Sequence, residues 1–333
     1  MLREETQHDP ERQAAALAGL RAYQAAPRIA RPAPMPVIAS AGRAVLRDYG
    51  GADGGGRPVV FVPSLINGPD VLDLLPDTSL LRWLAGQGLR PLLIDWGTPG
   101  PEDRALSIAD HIETMLLPLL DAAGADAAYV GYCLGGTMAI AAAAIRPPAS
   151  LALIAAPWRF SGFPDTARTG LTDLWREAQP TADAIGLLPL EVLQAAFWQL
   201  DPKRTIDKFV SFGRSAKRDA AARLFVALED WANDGPPLTL AAGRELIEAL
   251  FVGDASGAGR WRVGGRAIDP AALTCPVLDI VSTSDRIVPA ASAAGVGRTL
   301  TLAQGHVGMM IGGRARHTLW QPLADWLASA HIA

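Results

Sequence analysis

The stretch Gly131-Tyr132-Cys133-Leu134-Gly135 sets a cysteine between two glycines with the spacing Gly-x-Cys-x-Gly. An apolar run, 127–130, precedes it and an alanine-rich run, 138–145, follows, which is typical of a strand, a sharp turn and a helix. Glycines let the backbone reverse without Cβ clashes, and a helix amino terminus favours a thiolate. This pattern predicts a nucleophilic cysteine. A cysteine between glycines can also be a small buried residue, so the interpretation depends on a histidine and an acid elsewhere.

Two later segments supply an acid and a histidine. An apolar run at 275–281 predicts a buried strand that ends just before Asp285, and the predicted strand 298–302 ends just before His306. Either residue alone would be an ordinary loop residue. The chain order Cys133, Asp285, His306 is the nucleophile, acid, histidine order of α/β hydrolases. Because each residue follows a strand end, we expect all three to converge on one edge of the sheet.

The residue types define the chemistry. His306 would take the thiol proton of Cys133, and the thiolate would attack a thioester or ester carbonyl. Asp285 would orient the histidine or help to deprotonate an incoming hydroxyl group. The backbone N–H groups of Leu134 and of Ile66, in the loop after strand 58–62, are the predicted oxyanion donors, although that loop could be an ordinary strand-to-helix turn. A thioester acyl-enzyme stays activated, which suits acyl transfer better than hydrolysis without excluding hydrolysis.

The elements that must position these residues alternate along the chain. Strands are predicted at 58–62, 89–94 and 149–156, besides the strand before Cys133, with helices at 79–87 and 106–123 between them. This alternation predicts an α/β fold with a mostly parallel sheet and helices on both faces. Before it we predict a helix at 10–26, a proline-rich connector at 27–36 and a strand at 45–49. The polar neighbours of His111 favour a surface or helix-cap position for it.

The pattern changes after residue 158. Helical periodicity at 187–200, 204–212 and 216–232, without a convincing core strand, predicts a helical cap inserted after the strand that follows the elbow. The predicted organisation is an amino-terminal helix and connector at 1–44, a core at 45–158 and 258–333, and the cap at 159–257. Aromatic residues enrich the cap, where they could line an apolar substrate site or simply form core. The substrate-contact candidates are Asn67, Tyr132, Trp158 and Trp231.

Composition narrows the functional classes. The 333 residues are 50% hydrophobic and 19% charged, with a formal net charge of -4. Mild acidity without a basic run argues against nucleic acid as a partner. Two cysteines, Cys133 and Cys275, cannot form a disulfide framework, and a reducing compartment is the simpler interpretation. The sequence has no apolar run of about 18 residues and no signal-peptide core at its start, which predicts a cytoplasmic protein.

Taken together, the motifs resemble those of the polyhydroxyalkanoate synthases, a family of the α/β-hydrolase superfamily. The run 131–137 is similar to the lipase-box-like motif of that family, and Asp285 and His306 match its acid and histidine motifs. Five further segments are also similar to motifs of that family, namely 65–67, 73–76, 93–97, 228–234 and 287–289. The resemblance covers about 58–330, and the short amino-terminal region resembles the catalytic subunit of the two-subunit synthases.

The resemblance implies 3-hydroxyacyl-CoA as substrate, polyester as product, and no metal or other cofactor. It also implies a second synthase subunit or a homodimer as partner, and association with polyester granules. Arg286, Ala290 and the run 307–313 depart from the usual residues of the family. The cysteine and the motifs favour synthesis, whereas the altered histidine loop favours a cysteine-dependent esterase, thioesterase or polyhydroxyalkanoate depolymerase. A non-catalytic granule-associated protein is the third alternative, which the complete set of three residues disfavours.

Overall fold

The chain is built around an eight-stranded sheet. The computed structural model describes residues 2–50, 55–215 and 219–330. The strands are β1 (Val37–Ala41), β2 (Ala44–Asp48), β3 (Arg57–Val62), β4 (Leu89–Asp95), β5 (Ala128–Tyr132), β6 (Leu151–Ile154), β7 (Val277–Ser282) and β8 (Arg298–Leu302). Their spatial order is β1-β2-β4-β3-β5-β6-β7-β8. Only β2 runs against its neighbours, and the other pairs are parallel, so the predicted mostly parallel sheet is confirmed.

Apolar residues on both faces explain why the sheet is covered on both sides. In β3, Val60 and Val62 belong to one apolar cluster, and Val59 and Phe61 to the other, since side chains alternate along a strand. Two helical regions pack in the first cluster. They are residues 108–123, in the consecutive segments Ile108–His111, Ile112–Leu116 and Leu117–Ala123, and the helix Leu134–Ile145. The second cluster contains Leu80–Ala85, Gly308–Ile311, Arg316–Trp320 and Gln321–Ser329. The predicted helices on both faces are confirmed.

The segment between β6 and β7 is mainly helical. Its helices are Asp165–Ile185, Leu190–Leu200, Pro202–Arg214, Ala220–Asn233 and Leu240–Arg244, the last continuing as Glu245–Val252. The predicted helices 187–200 and 204–212 are confirmed, and the start of the third, at 216–218, lies outside the described residues. The sequence did not single out the 21-residue helix Asp165–Ile185, because only Leu171, Trp175 and Ala182 of it are buried and because it contains Pro180, a residue that usually ends a helix.

The amino-terminal helix Pro10–Gln24 packs on the inserted helix Pro202–Arg214. The side chain of Asp9 caps it by accepting a hydrogen bond from the N–H of Arg12. Gly19 lies so close to the backbone of Phe209 that a Cβ there would collide with the Phe209 carbonyl. The amino-terminal helix is therefore joined to the inserted helices by backbone-to-backbone packing.

Two local features differ from the expectations. His111 is buried, not on the surface: its Nδ1 lies 2.6 Å from the Ser107 carbonyl oxygen and its Nε2 lies 2.5 Å from Nη2 of Arg43. Burial, with the Arg43 charge beside the ring, lowers the pKa of His111 and keeps it neutral. Strand β1 was not predicted, because it is an exposed edge strand without a buried apolar run. No helix within the described residues is long and apolar enough to cross a membrane.

Candidate active site

Cys133 occupies the sharp turn between β5 and the helix Leu134–Ile145. Its backbone lies at φ 56° and ψ −132°, a conformation that non-glycine residues rarely adopt. A Cβ on Gly131 would collide with Gly136, and one on Gly135 would collide with the backbone of Val62 and Pro63. The turn therefore requires glycine on each side of the cysteine, as in a nucleophile elbow.

His306 and Asp285 form a buried pair beside this turn. Nδ1 of His306 lies 2.7 Å from Oδ2 of Asp285, whose side chain is 0% exposed. The other oxygen of Asp285 accepts hydrogen bonds from the N–H groups of Ile287 at 2.8 Å and Val288 at 2.9 Å. The carboxylate is thus fixed by the loop that follows β7, and it leaves Nε2 of His306 free to face Cys133.

The environment of His306 favours its protonated form. Burial lowers the pKa of the imidazole, but the charges of Cys133 and Asp285 and its hydrogen bonds to both residues outweigh burial and raise the pKa of His306 to about 10. The ring also stacks on Tyr132, with the ring centroids 5.0 Å apart and the planes at 23°. This arrangement holds a positively charged imidazole beside Cys133 at neutral pH, and a neighbouring cation favours the nucleophilic form of a cysteine.

The two predicted oxyanion donors differ in their surroundings. The N–H of Leu134 belongs to the first turn of a helix, where N–H groups have no partner within the helix. The N–H of Ile66 instead donates to Oγ of Ser64 at 2.9 Å. The N–H of Leu134 can therefore donate to an oxyanion as the structure stands. The N–H of Ile66 would first have to share or release its hydrogen bond to Ser64.

Three of the four substrate-contact candidates lie together. Asn67, Tyr132 and Trp231 line one cavity with Cys133 and His306. Nδ2 of Asn67 donates to the Ala232 carbonyl at 3.2 Å, and Nε1 of Trp231 donates to the Gly68 carbonyl at 2.8 Å. These bonds join the loop after β3 to the end of helix Ala220–Asn233.

The structure does not bring Trp158 into this group. Trp158 is buried, and its ring packs edge-on against Trp261 at a centroid distance of 5.8 Å. A tryptophan after a strand end can point into the core or into the site, and the sequence does not distinguish these outcomes.

Several polar residues near Cys133 were not predicted. Nζ of Lys208 lies 2.7 Å from Oε2 of the buried Glu229, and both residues line the same cavity as Cys133. No sequence signal identifies this pair, because its members lie on different helices, 21 residues apart. Arg286, one of the residues that depart from the family pattern, pairs with Asp201 at 2.7 Å and remains largely exposed.

Comparisons with known proteins agree with this architecture. Residues 57–305 match the family model described as alpha/beta hydrolase fold. The structure of Rv0554 from Mycobacterium tuberculosis is similar with a TM-score of 0.53 and 18% identity, over 87% of this chain and 98% of that one. At this identity, the likeness concerns the fold alone.

Curated relatives are poly(3-hydroxyalkanoate) polymerase subunits named PhaC. The subunit of Haloferax mediterranei is 30% identical over 292 residues, which are 81% of this chain and 58% of that protein. The subunit of Allochromatium vinosum is 29% identical over 289 residues, which are 81% of this chain and 80% of that protein. The chain thus spans less than two thirds of the Haloferax mediterranei protein and most of the Allochromatium vinosum one.

Proposed function

This chain belongs to the α/β-hydrolase family, and on that premise we propose that it is an acyltransferase that builds polyester. In this proposal, Cys133, His306 and Asp285 transfer 3-hydroxyacyl groups from CoA thioesters to a growing polyester chain. The arrangement that carries the proposal is Cys133 on its strained turn, facing a histidine that Asp285 holds through Nδ1. The similarity to PhaC subunits supports the substrate class.

The first half-reaction acylates the enzyme. The Cys133 thiolate attacks the thioester carbonyl carbon, the new carbon–sulfur bond forms, and the carbonyl oxygen becomes an oxyanion. Collapse of this intermediate breaks the bond to the CoA sulfur, and His306 gives its proton to the departing CoA thiolate. The N–H groups of Leu134 and Ile66 are the proposed donors to the oxyanion, Ile66 after releasing Ser64.

The second half-reaction extends the polymer. A 3-hydroxyl group attacks the acyl-enzyme, an ester bond forms, the bond to Cys133 breaks, and His306 takes the hydroxyl proton. Asp285 keeps the imidazole oriented and stabilises its charge in both halves. Asn67, Tyr132 and Trp231 are the proposed substrate contacts, because their cavity includes both reacting side chains.

We propose that residues 159–257 act as a cap over this site. Phe197 of helix Leu190–Leu200 and Trp231 of helix Ala220–Asn233 line the cavity that holds Cys133. In this scheme the core comprises 45–158 and 258–333, and residues 1–44 precede it. Granule association in the cytoplasm, with a second synthase subunit or a second copy of the chain as partner, completes the proposal.

A combined assay tests the proposed function. Purified protein is incubated with 3-hydroxybutyryl-CoA or 3-hydroxyoctanoyl-CoA, while free CoA thiol and the acyl product are followed together. We expect thiol release together with polyester, loss of both in Cys133→Ala, and retention of both in the matched control Cys275→Ala. Release of monomeric hydroxy acid alone would identify a thioesterase instead. Absence of thiol release, also after addition of a synthase partner subunit, would contradict acyl transfer from CoA.

A further inference from the structure

A second cavity reaches Cys133, and its lining is apolar. It has 16 lining residues, which include Cys133 and Leu134. Every other residue of this lining within the described chain is an alanine, valine, leucine, isoleucine, proline or phenylalanine. Most of the walls come from three inserted helices, Asp165–Ile185, Leu190–Leu200 and Glu245–Val252, and from the segment after β6, and the loops after β3 and β7 complete them.

Three phenylalanine rings pack together in the wall of this cavity. Phe160 and Phe163 are stacked with their centroids 5.6 Å apart, and the Phe251 ring lies 4.8 Å from each of them. Phe160 is fully buried and Phe163 is nearly so. Such a cluster resists rearrangement because each ring is held by the other two, so it forms a fixed boundary of the cavity.

The polarity of the cavity decides what can enter it. An ester carbonyl or a hydroxyl group buried there would lose its hydrogen bonds to water and find no side-chain donor in the lining, which is costly. The cavity that contains Asn67 and Trp231 also contains Ser64, Gln194 and Asn233, which can bond such groups. The polyester chain and the 3-hydroxyl group therefore fit that cavity, and only hydrocarbon fits the apolar one.

We propose that the apolar cavity binds the aliphatic side chain of the acyl group on Cys133, and that the preferred acyl group is several methylenes longer than butyryl. This inference rests on the proposed function and specifies its substrate class. A methyl side chain would leave most of the apolar walls without contact. Each added methylene that enters contributes transfer free energy equivalent to a roughly fourfold gain in kcat/KM, until the phenylalanine cluster blocks further extension.

Two series of compounds test the inference on the full chain. The first is 3-hydroxyacyl-CoA from butyryl to dodecanoyl, with acylation of Cys133 followed by intact mass. The second is N-alkyl iodoacetamide from methyl to decyl, which needs no acyl transfer: the sulfur of Cys133 bonds to the CH₂ carbon and iodide leaves. Glutathione, reacted with the same reagents, corrects for their intrinsic reactivity.

The matched variants are Ala167→Leu and Ala184→Leu. Both lie on the helix Asp165–Ile185, but Ala167 lines the cavity whereas Ala184 is exposed. We expect the rates of both series to rise with chain length in the wild type and in Ala184→Leu, and then to fall. Ala167→Leu should shift both optima to shorter chains. A lower fraction of folded protein would reduce the rates for all chain lengths equally. The ratio of two rates measured on the same protein is therefore unaffected by it.

The outcomes separate the inference from the proposed function. If iodoacetamide rates rise with length and respond to Ala167→Leu while no CoA thioester acylates Cys133, the cavity assignment stands and the proposed function fails. If acylation favours butyryl, and both series are indifferent to Ala167→Leu, the cavity assignment is overturned while acyl transfer survives. Flat iodoacetamide rates alone would equally overturn the assignment, because the side chain would then not enter the cavity.

Discussion

The imidazole of His306 is held by three neighbours. Asp285 fixes Nδ1, the Tyr132 ring covers one face, and Cys133 adds the charge that raises the pKa of the histidine. Tyr132 also donates its hydroxyl hydrogen to the His306 carbonyl at 3.4 Å. Burial raises the pKa of Tyr132, and the charges of Cys133 and Asp285 raise it further, so its hydroxyl stays protonated. The ring of His306 therefore has one orientation and one charge state available near neutral pH.

This charge state predicts unusual thiol reactivity. The pKa of His306 is raised to about 10. The ring is therefore almost fully charged below about pH 9 and loses its charge as the pH rises through its pKa. Between about pH 6 and 8 the imidazole keeps its positive charge beside Cys133, and a neighbouring positive charge speeds the reaction of a cysteine with iodoacetamide. We therefore expect Cys133 of the wild type to be modified several times faster than Cys133 of His306→Gln throughout this range.

The controls for this experiment are within the chain. His306→Gln removes the charge but keeps a polar side chain of similar size, so it isolates the effect of the imidazolium on Cys133. Cys275, whose pKa is raised by burial, should react slowly in both proteins. Equal rates of modification of Cys133 in the two proteins, measured by peptide mass spectrometry, would refute this effect of His306.

At the scale of elements, the turn between β5 and the following helix depends on glycine. Residue Gly131 of β5 pairs with Val62 of β3, which brings the end of β3 against the first turn of the helix. A Cβ on Gly135 would meet backbone atoms of Val62 and Pro63, which cannot rotate away as a side chain can. The strained Cys133 backbone therefore persists because the neighbouring strand leaves no alternative path.

Gly135→Ala is expected to lower the free energy of unfolding by about 1–3 kcal/mol, because the added methyl group overpacks a backbone contact. The same substitution at Gly313, where a Cβ would meet open space, should change it by less than about 0.5 kcal/mol. Urea unfolding followed by circular dichroism measures both values. Equal stability of the two variants would show that the turn can relax.

At the scale of the whole molecule, residues 10–31 join separate parts of the chain. The guanidinium of Arg31 pairs with Asp70, after β3, at 3.0 Å and with Asp234, after helix Ala220–Asn233, at 3.1 Å. The hydroxyl of Tyr23 donates to Asp230 at 2.6 Å. The amino-terminal segment thus contacts the core and the inserted helices together, so loosening it should affect the inserted helices first.

Substitution of Gly19 tests this coupling. Gly19→Leu would push the helix Pro10–Gln24 away from Phe209, whereas Ala18→Leu adds the same side chain at an exposed position one residue away. Hydrogen exchange should quicken in 10–24 and 202–214 only in Gly19→Leu, with β3 and β5 still protected. Quicker exchange throughout the sheet would instead indicate global destabilisation.

Local patterns predicted the sheet and the strand ends well. The buried strand β7 is a short apolar run, and β8 alternates polar with apolar residues. Asp285 and His306 come shortly after the ends of these two parallel strands, so their convergence could be expected from chain order. The glycines around Cys133 predicted the sharp turn because the residues that make the turn possible all lie within a few positions of one another.

Properties that depend on tertiary contacts could not be predicted. The burial of His111 depends on Arg43, far away in sequence, and that of Trp158 depends on Trp261. The pairing of Lys208 with Glu229 requires two helices to lie side by side. Among the aromatic residues of the inserted segment, Phe209 and Phe225 pack against Tyr23, and the sequence alone does not separate such core residues from those that line the cavity.

The stacking of His306 on Tyr132 has a mechanical consequence. Tyr132 is bonded directly to Cys133, so the strand that leads to Cys133 also supports one face of the His306 ring. We therefore expect a displacement of this strand to move the sulfur and the imidazole together, so that the distance between them changes less than the position of either. Motion of the inserted helices should then alter this distance little.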